Sequence, residues 1–285
     1  MQNSKYVLIT GAGEGLGKSL AIEFARRGWN LILVALPGPQ LCSLACFIRR
    51  NYLSTVVTFE IDLCDEQNCV DLYKEIHAKG IKVQMLINNA GIGNTFHFSE
   101  GSIEFFRQQI TLNVWATTLI TKLFLKDLCE NNPSHIVNIG SLSSFFFLPR
   151  KQVYGGTKSF IYSFSKALRE ELYDKAVTVS VVCPGGINSN PYQTYMNRNA
   201  SWIARQSLLD AETVARIIAD KVLAGKSVII PGLINRFFLL LDKLIPEVIK
   251  RSINNYQMKK LQQGMNVFRL QNDHSYEKSL LVKSA

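Results

Sequence analysis

Tyr154 and Lys158 stand four residues apart, thirteen residues after Ser141 and well downstream of a glycine-rich turn, Thr10-Gly11-Ala12-Gly13-Glu14-Gly15-Leu16-Gly17. A phenol and an ammonium at i and i+4 share one face of a helix. The ammonium favours phenolate, so it is expected to lower a phenol pKa that is about 10 in short peptides. A tyrosine tuned in that way can give a proton to a ketone, or take one from an alcohol, near neutral pH. The glycine turn offers a dinucleotide a place to sit, and the two features together point to hydride transfer.

Elements must position these groups, and the sequence alternates strand with helix. Tyr6 to Thr10 is a short, nearly all-apolar run, as expected of a strand buried on both faces. Gly15 to Arg27 reads as a helix closed by Gly28. Strands are expected at 30–36, 55–61, 83–88, 135–140, 178–183 and 227–230. Helices are expected at 40–51, 64–78, 102–129, 153–175 and 211–224. This rhythm gives an α/β fold with a doubly wound parallel sheet and ligands at the carboxyl ends of the strands. Two stretches depart from it. Residues 187–209 are a polar and aromatic insertion without a clear period, and 232–262 are an apolar and basic extension before a polar tail to Ala285.

Gly11, Gly15 and Gly17 let the backbone turn tightly and approach a pyrophosphate, with Leu16 between them opening the helix whose N-terminus faces the phosphates. The spacing is G-x-x-x-G-x-G rather than G-x-G-x-x-G. Glycines also end strands without any function, but placement between an apolar strand and a helix favours the phosphate site. An acid selecting NAD is expected near the end of the second strand. That place reads Val34-Ala35-Leu36-Pro37, and no Asp or Glu occurs from Phe24 to Phe59. Nothing at Leu36 repels a 2′-phosphate, and no Arg there attracts one. NADP(H) is therefore favoured over NAD(H) by a narrow margin.

Further along, Asn88-Asn89-Ala90-Gly91 follows the fourth strand and Asn113 lies within a long helix. Ile139-Gly140-Ser141 ends the fifth strand, Tyr154-Gly155-Gly156-Thr157-Lys158 opens the next helix, and Pro184-Gly185 ends the sixth. In order and spacing, these motifs over residues 5–232 resemble the short-chain dehydrogenase/reductase family. The resemblance implies a Rossmann-type sheet with Asn113, Ser141, Tyr154 and Lys158 as catalytic residues. Tyr154 would be the acid/base, and Lys158 would lower its pKa and hold the nicotinamide ribose. Ser141 would hold the substrate oxygen, and Asn113 would position a water linking Lys158 to solvent. Asp62 and Leu63 match the pair that contacts adenine; Asn89, Ala90 and Gly91 line the adenosine side. Pro184, Gly185 and Ile187 border the nicotinamide, and Ser189 stands where the family often has Thr near the carboxamide. Family members commonly pair the helices carrying Asn113 and Tyr154, which implies a homodimer or homotetramer.

Composition narrows the remaining classes. The chain has 285 residues, 47% hydrophobic and 19% charged, enough for one large domain over residues 1–232 with the extension at 233–262 and the tail at 263–285. The net charge is +10, but the 32 basic residues are dispersed and form no nucleic-acid motif. The six cysteines form no CxxC pair and the four histidines have no metal-ligand spacing, so reduced thiols and no structural metal are expected. No signal sequence or spanning run is read, which makes the cytoplasm the expected location.

The substrate side is apolar. Phe145-Phe146-Phe147-Leu148 is either a pocket wall or core packing beneath a loop, and Tyr192, Tyr195, Met196 and Trp202 suit a lid. No Arg/Lys cluster there is arranged to clamp a small carboxylate or phosphate. A large hydrophobic ketone or alcohol is the expected substrate, a long-chain 3-keto lipid such as 3-ketosphinganine leading over 3-ketoacyl and steroid types. A catalytically silent nucleotide-binding sensor or scaffold is one competing class, and intact Ser141, Tyr154 and Lys158 argue against it; a membrane-docked interaction protein is another, which rests only on the C-terminal extension and leaves those residues unexplained. In the extension, Leu233, Phe237, Leu240, Leu241 and Leu244 fall at helical spacing beside Arg236 and Lys243. Two roles stay open for residues 233–260: covering the cleft or a subunit partner, or peripheral contact with a membrane surface.

Overall fold

Alternate side chains of β1 (Tyr6–Thr10) divide the molecule: Val7 and Ile9 face one apolar layer and Leu8 the other. In this computed structural model the described residues are 5–93, 95–188, 191–198 and 205–242, with 245, 246, 248–253, 255, 256, 259 and 260 beyond them. The first layer packs Leu20 and Phe24 of α1 (Gly15–Arg26), Leu44 and Ile48 of α2 (Pro39–Asn51), and Val214 and Ile218 of α8 (Ala211–Leu223). The second packs Leu72 and Ile76 of α3 (Glu66–Ala78), Ile120 and Phe124 of α5 (Thr117–Glu130), and Leu168 of α6 (Gln152–Glu171). Each such side chain contributes about 1.5–3 kcal/mol by burial.

The central sheet has seven parallel strands in the order β3 (Val56–Glu60), β2 (Asn30–Ala35), β1, β4 (Val83–Asn88), β5 (Ser134–Ile139), β6 (Val177–Val182) and β9 (Val228–Ile229). The chain builds outward from β1 to β3, then crosses back to place β4 on the other side of β1. The loops after β1 and β4 therefore leave adjacent strands in opposite directions and open a crevice at their carboxyl ends. The expected α/β doubly wound sheet is what forms, and most element boundaries fall within two or three residues of those read from the sequence.

Two regions are more structured than the sequence suggested. The helix expected over 102–129 is α4 (Ile103–Ile110), then a π-helical segment at Thr111–Ala116, then α5. Asn113 is buried within that π segment, a local unwinding found often where a helix serves a site. The insertion at 187–209 contains β7 (Ile187–Asn188), α7 (Pro191–Arg198) and β8 (Leu209–Asp210), with Ile187 paired to Leu209 and Asn188 to Asp210. After β9, helix α9 (Leu233–Asp242) opens the C-terminal extension. Among the described residues no helix is long and apolar enough to cross a membrane.

Candidate active site

The loops after β1 and β4 are joined by one threonine. Thr10 Oγ1 accepts from the backbone N–H groups of Asn89 and Ala90, both at 3.0 Å. Asn89 Nδ2 returns the contact to the Thr10 and Gly11 carbonyls at 2.9 and 3.1 Å. Gly11 sits at φ 63°, and a Cβ there would come within 2.9 Å of Ala90 Cα. A Cβ on Gly17 would overlap the Gly11 carbonyl oxygen. Two glycines are thus required for the turn to close. Glu14 at the N-cap of α1 makes no capping bond and the first turn holds no acid, so free amides and the positive end of the dipole face the crevice.

The remaining expected cofactor residues line the same end of the sheet. Leu36, 50% exposed, follows β2, and Leu16 packs into the core, leaving its backbone for any contact. Asp62 Oδ1 accepts from Cys64 N at 2.8 Å, and Leu63 is buried beside it. Gly91 approaches so closely that a Cβ would lie 3.0 Å from Asn113 Oδ1 and 3.4 Å from Lys158 Nζ. A Cβ on Gly93 would strike the Tyr154 ring at 2.6 Å. A cradle of amides and bare Cα atoms, closed on one side by an ammonium, fits a dinucleotide. Among the described residues no group of three or more His, Cys, Asp or Glu is placed to hold a metal ion.

Ser141, Tyr154, Lys158 and Asn113 converge on the far side of that cradle. Asn113 Oδ1 accepts from Ile92 N at 2.9 Å, while its Nδ2 donates to Ile92 O at 2.9 Å and to Thr157 Oγ1 at 3.1 Å. Thr157 Oγ1 in turn donates to the Tyr154 carbonyl at 2.8 Å. Lys158 Nζ donates to the Ile139 carbonyl at 2.7 Å, tying α6 to the end of β5. Ser144 Oγ donates to Lys158 O and Ser159 Oγ to Ser144 O, at 2.8 and 3.1 Å, so the loop after Ser141 is held against α6. Beneath them Asn88 Nδ2 donates to Thr121 and Asn138, and Asn138 Nδ2 donates to Ser165.

The electrostatics differ from the sequence expectation. Desolvation pushes the Tyr154 phenol above its ordinary value, and a hydrogen bond with the Ser141 side chain pulls the other way. Lys158 does not hydrogen-bond the phenol; its Nζ lies 5.8 Å from the ring centroid and points to Ile139. Burial holds Lys158 itself down, to about 8. The surroundings of Tyr154 therefore favour the neutral phenol. Cys183, whose thiol is pushed up to about 12 by burial, accepts from the Ser141 backbone and closes the floor.

Pro184 and Gly185 follow directly, and the Pro184 carbonyl accepts from Leu142 N at 2.9 Å. Ile187 O accepts from Asn197 Nδ2 at 3.2 Å. Ser189 and Trp202 lie outside the described residues, as do the side chains of Tyr192 and Met196. The phenylalanine run divides: Phe145 packs edge-on to Tyr162 and joins the core around Ile161, Val181 and Cys183, while Phe147 is exposed. Sequence reasoning missed a second aromatic group, Phe96, Phe98, Phe105 and Phe106, clustered at 5.1–6.0 Å. It borders the same mouth, because Phe96 N donates to Arg150 O at 3.3 Å. The roles of Thr157, Lys151 and Asn235 were missed as well: Thr157 lies inside the Tyr154–Lys158 motif as a spacer, and Lys151 and Asn235 belong to no motif with a recognisable spacing.

The family model described as short chain dehydrogenase matches residues 5–200 of this chain. The 17-beta-hydroxysteroid dehydrogenase type 3 of Mus musculus is 31% identical over 237 residues, covering 81% of this chain and 76% of the relative. A solved short-chain dehydrogenase from Sphingobium yanoikuyae in complex with NADPH is 27% identical with a TM-score of 0.72, over 80% of this chain and 88% of that one. The bulky-bulky ketone specific alcohol dehydrogenase from Comamonas testosteroni is 26% identical with a TM-score of 0.71, over 84% and 91%. With the cradle and the Ser-Tyr-Lys arrangement in place, the chain belongs to the short-chain dehydrogenase family and is an NAD(P)-dependent oxidoreductase interconverting a ketone and an alcohol.

Proposed function

We propose that the substrate is a large hydrophobic, lipid-like ketone or secondary alcohol, and that NADP(H) is the preferred cofactor. The observation that carries the substrate reading is the aromatic mouth. Phe96, Phe98, Phe105 and Phe106 cluster beside Arg150, in the loop that leads to Tyr154, and Phe147 of the same loop is exposed. The leading candidate is a long-chain 3-keto lipid such as 3-ketosphinganine, with 3-ketoacyl and steroid ketones as the related classes. The Mus musculus relative named for a hydroxysteroid and the Comamonas structure named for bulky ketones support that size class.

The chain's own residues divide the work. Ser141 Oγ holds the carbonyl oxygen and Tyr154 Oη gives it a proton in reduction, or removes one in oxidation. Lys158 holds the nicotinamide ribose, and Gly11–Gly17, Leu36, Asp62, Leu63 and Asn89–Gly91 hold the adenosine and pyrophosphate. The bound nicotinamide supplies or accepts the hydride. Asn113 fixes Ile92 and Thr157 with its side chain, so the water-holding role falls to the main chain of the π segment. Pro184, Gly185, Ile187 and Ser189 border the nicotinamide. Exposed Leu36 and the lack of any Asp or Glu from Phe24 to Phe59 favour the 2′-phosphate, with Glu14 in the glycine turn and Glu60 opposite Ala35 narrowing the margin.

The domain reading is one catalytic unit over 1–232, an extension at 233–262 and a tail at 263–285. Exposed Ile110, Trp115 and Phe160, on the helices that carry Asn113 and Tyr154, support a homodimer or homotetramer. The extension favours membrane contact over cleft packing. Asn235 is 1% exposed, whereas Leu233, Phe237 and Leu240 are 80%, 59% and 64% exposed. A helix that buries Asn235 and half-buries Phe238 and Leu239 while turning Leu233, Phe237 and Leu240 out with Arg236, in an extension that also carries exposed Arg251, Lys259 and Lys260, suits the interface of an anionic bilayer. The protein is then cytoplasmic and peripheral to a membrane. Nicotinamide oxidation with a panel of long-chain, acyl and steroid ketones, guided by lipid comparison of cells with and without the protein, tests the substrate class. Turnover confined to small polar ketones overturns it.

A further inference from the structure

Two ammonium groups flank the Tyr154 ring. Lys158 Nζ and Lys151 Nζ each lie 5.8 Å from its centroid. Lys158 is bonded to Ile139 O and adjoins Gly91 on the nucleotide side. Lys151 arrives from elsewhere. It ends the loop that leaves Ser141 and stands at the N-cap of α6, behind Arg150 in a left-handed conformation with φ 66°. Its backbone is fixed, with its N–H on Leu148 O at 3.3 Å and its carbonyl taking Gly155 N–H at 2.7 Å. Its side chain is partly buried, and burial lowers its pKa. Among the described residues its Nζ makes no ion pair and donates no hydrogen bond to protein.

A partly desolvated cation without a counter-charge is costly. The surrounding segments supply none. Residues 131–169 and 175–209 contain no Asp or Glu, and these stretches carry Ser141, the loop to Tyr154, the start of α6 and the chain after β6. On the facing segment, Glu100 is engaged by the His97 backbone N–H at 3.0 Å and Glu104 is exposed in the first turn of α4. The phenylalanine cluster at this mouth offers an ammonium no acceptor beyond a ring face.

We propose that Lys151 is a specificity-determining residue that receives an organic anion carried by the ketone substrate, so the preferred substrate is an acid-bearing hydrophobic ketone rather than a neutral one. This rests on the reading of the site as one for hydrophobic ketones and names the polar end of that substrate, which places acid-bearing 3-ketoacyl types ahead of 3-ketosphinganine, whose amine is cationic, and of neutral steroid ketones. The anion lies a few bonds from the carbonyl, because the same tyrosine ring is packed against Lys151 and presents the proton. The aromatic mouth takes the apolar remainder.

The test compares a hydrophobic keto acid, its methyl ester and the matching keto phosphate, using the full chain with NADPH. Wild type, Lys151→Met and Lys151→Arg are assayed for kcat/KM, and acid binding is followed separately by protein fluorescence. Lys151→Met is expected to lower the acid-to-ester ratio of kcat/KM by roughly 10- to 100-fold, the size of a lost charge-assisted hydrogen bond, mainly through KM. Lys151→Arg restores most of it. The phosphate arm shows whether a second charge is accepted. An unchanged ratio, an equal loss for acid and ester, or a raised KM for NADPH in Lys151→Met overturns the proposal. If wild type turns over none of the ketones but binds the acid in a Lys151-dependent way, the ketone reading fails and the anion site stands. If the acid is neither bound nor turned over, the anion site fails.

Discussion

The side-chain amide of Asn235 occupies the space that a side chain on Gly185 would need: a Cβ there would lie 3.0 Å from both Asn235 Nδ2 and Oδ1. Asn235 Nδ2 also donates to Pro231 O at 2.7 Å and Ser207 O at 3.3 Å. One residue of the C-terminal helix therefore braces the Pro184-Gly185 turn and the segment that returns from the insertion. Asn235→Ala is expected to lower stability by about 1–3 kcal/mol, since it orphans buried carbonyls, and to weaken nucleotide binding together with it. Denaturant unfolding and nucleotide titration of the same variant check this; a loss of neither separates α9 from the site.

The proposed preference for NADP(H) places the adenosine ribose beside Leu36, at the end of β2. Leu36→Arg should shift the kcat/KM ratio toward NADP(H), and Leu36→Asp toward NAD(H), each by roughly tenfold for a half-exposed charge. Steady-state kinetics with both nucleotides decide it. Ratios that do not move would mean that the adenosine ribose lies elsewhere.

Much of this arrangement is legible in the sequence, for a physical reason. Strands such as Tyr6–Thr10 and Val83–Asn88 are buried on both faces and appear as apolar runs between turns. The Ser141, Tyr154 and Lys158 spacing follows from one strand end and one helix turn. The π segment was not legible, because the apolar pattern is helical on both sides of Asn113. Asn235 was not legible because the apolar residues of α9 look like a packing face, whereas the fold buries the lone asparagine. Lys151 reaches Tyr154 through the conformation of Arg150, which no periodicity encodes.

Lys158 gives stability a pH signature. Its folded pKa of about 8 lies below the ordinary 10.5, so between those values the unfolded chain holds a proton that the folded chain has lost. Its contribution to stability therefore rises as pH climbs through that window. Cys64 and Cys183, raised to about 12, and Cys69, raised to about 11, act oppositely above their ordinary 9.0. Unfolding free energies of wild type and Lys158→Met, measured from pH 7.5 to 10.5, should diverge in favour of wild type as pH rises. A constant difference contradicts the assigned desolvation.

The outward apolar face of α9 should bind anionic vesicles in a salt-sensitive way, and Phe237→Ser with Leu240→Ser should abolish sedimentation while leaving Asn235 in place. Absence of binding by wild type at low salt would exclude the interface reading.

Tyr154→Phe tests the central claim most directly, because it removes only the phenolic hydroxyl and keeps the ring that Gly93 and both lysines pack against. Single-turnover reduction of a hydrophobic ketone by bound NADPH should slow by roughly 10²–10⁴-fold, the usual loss of a general acid, with nucleotide affinity unchanged. Hydride transfer at close to the wild-type rate in Tyr154→Phe would contradict the assignment of Tyr154 as the proton donor.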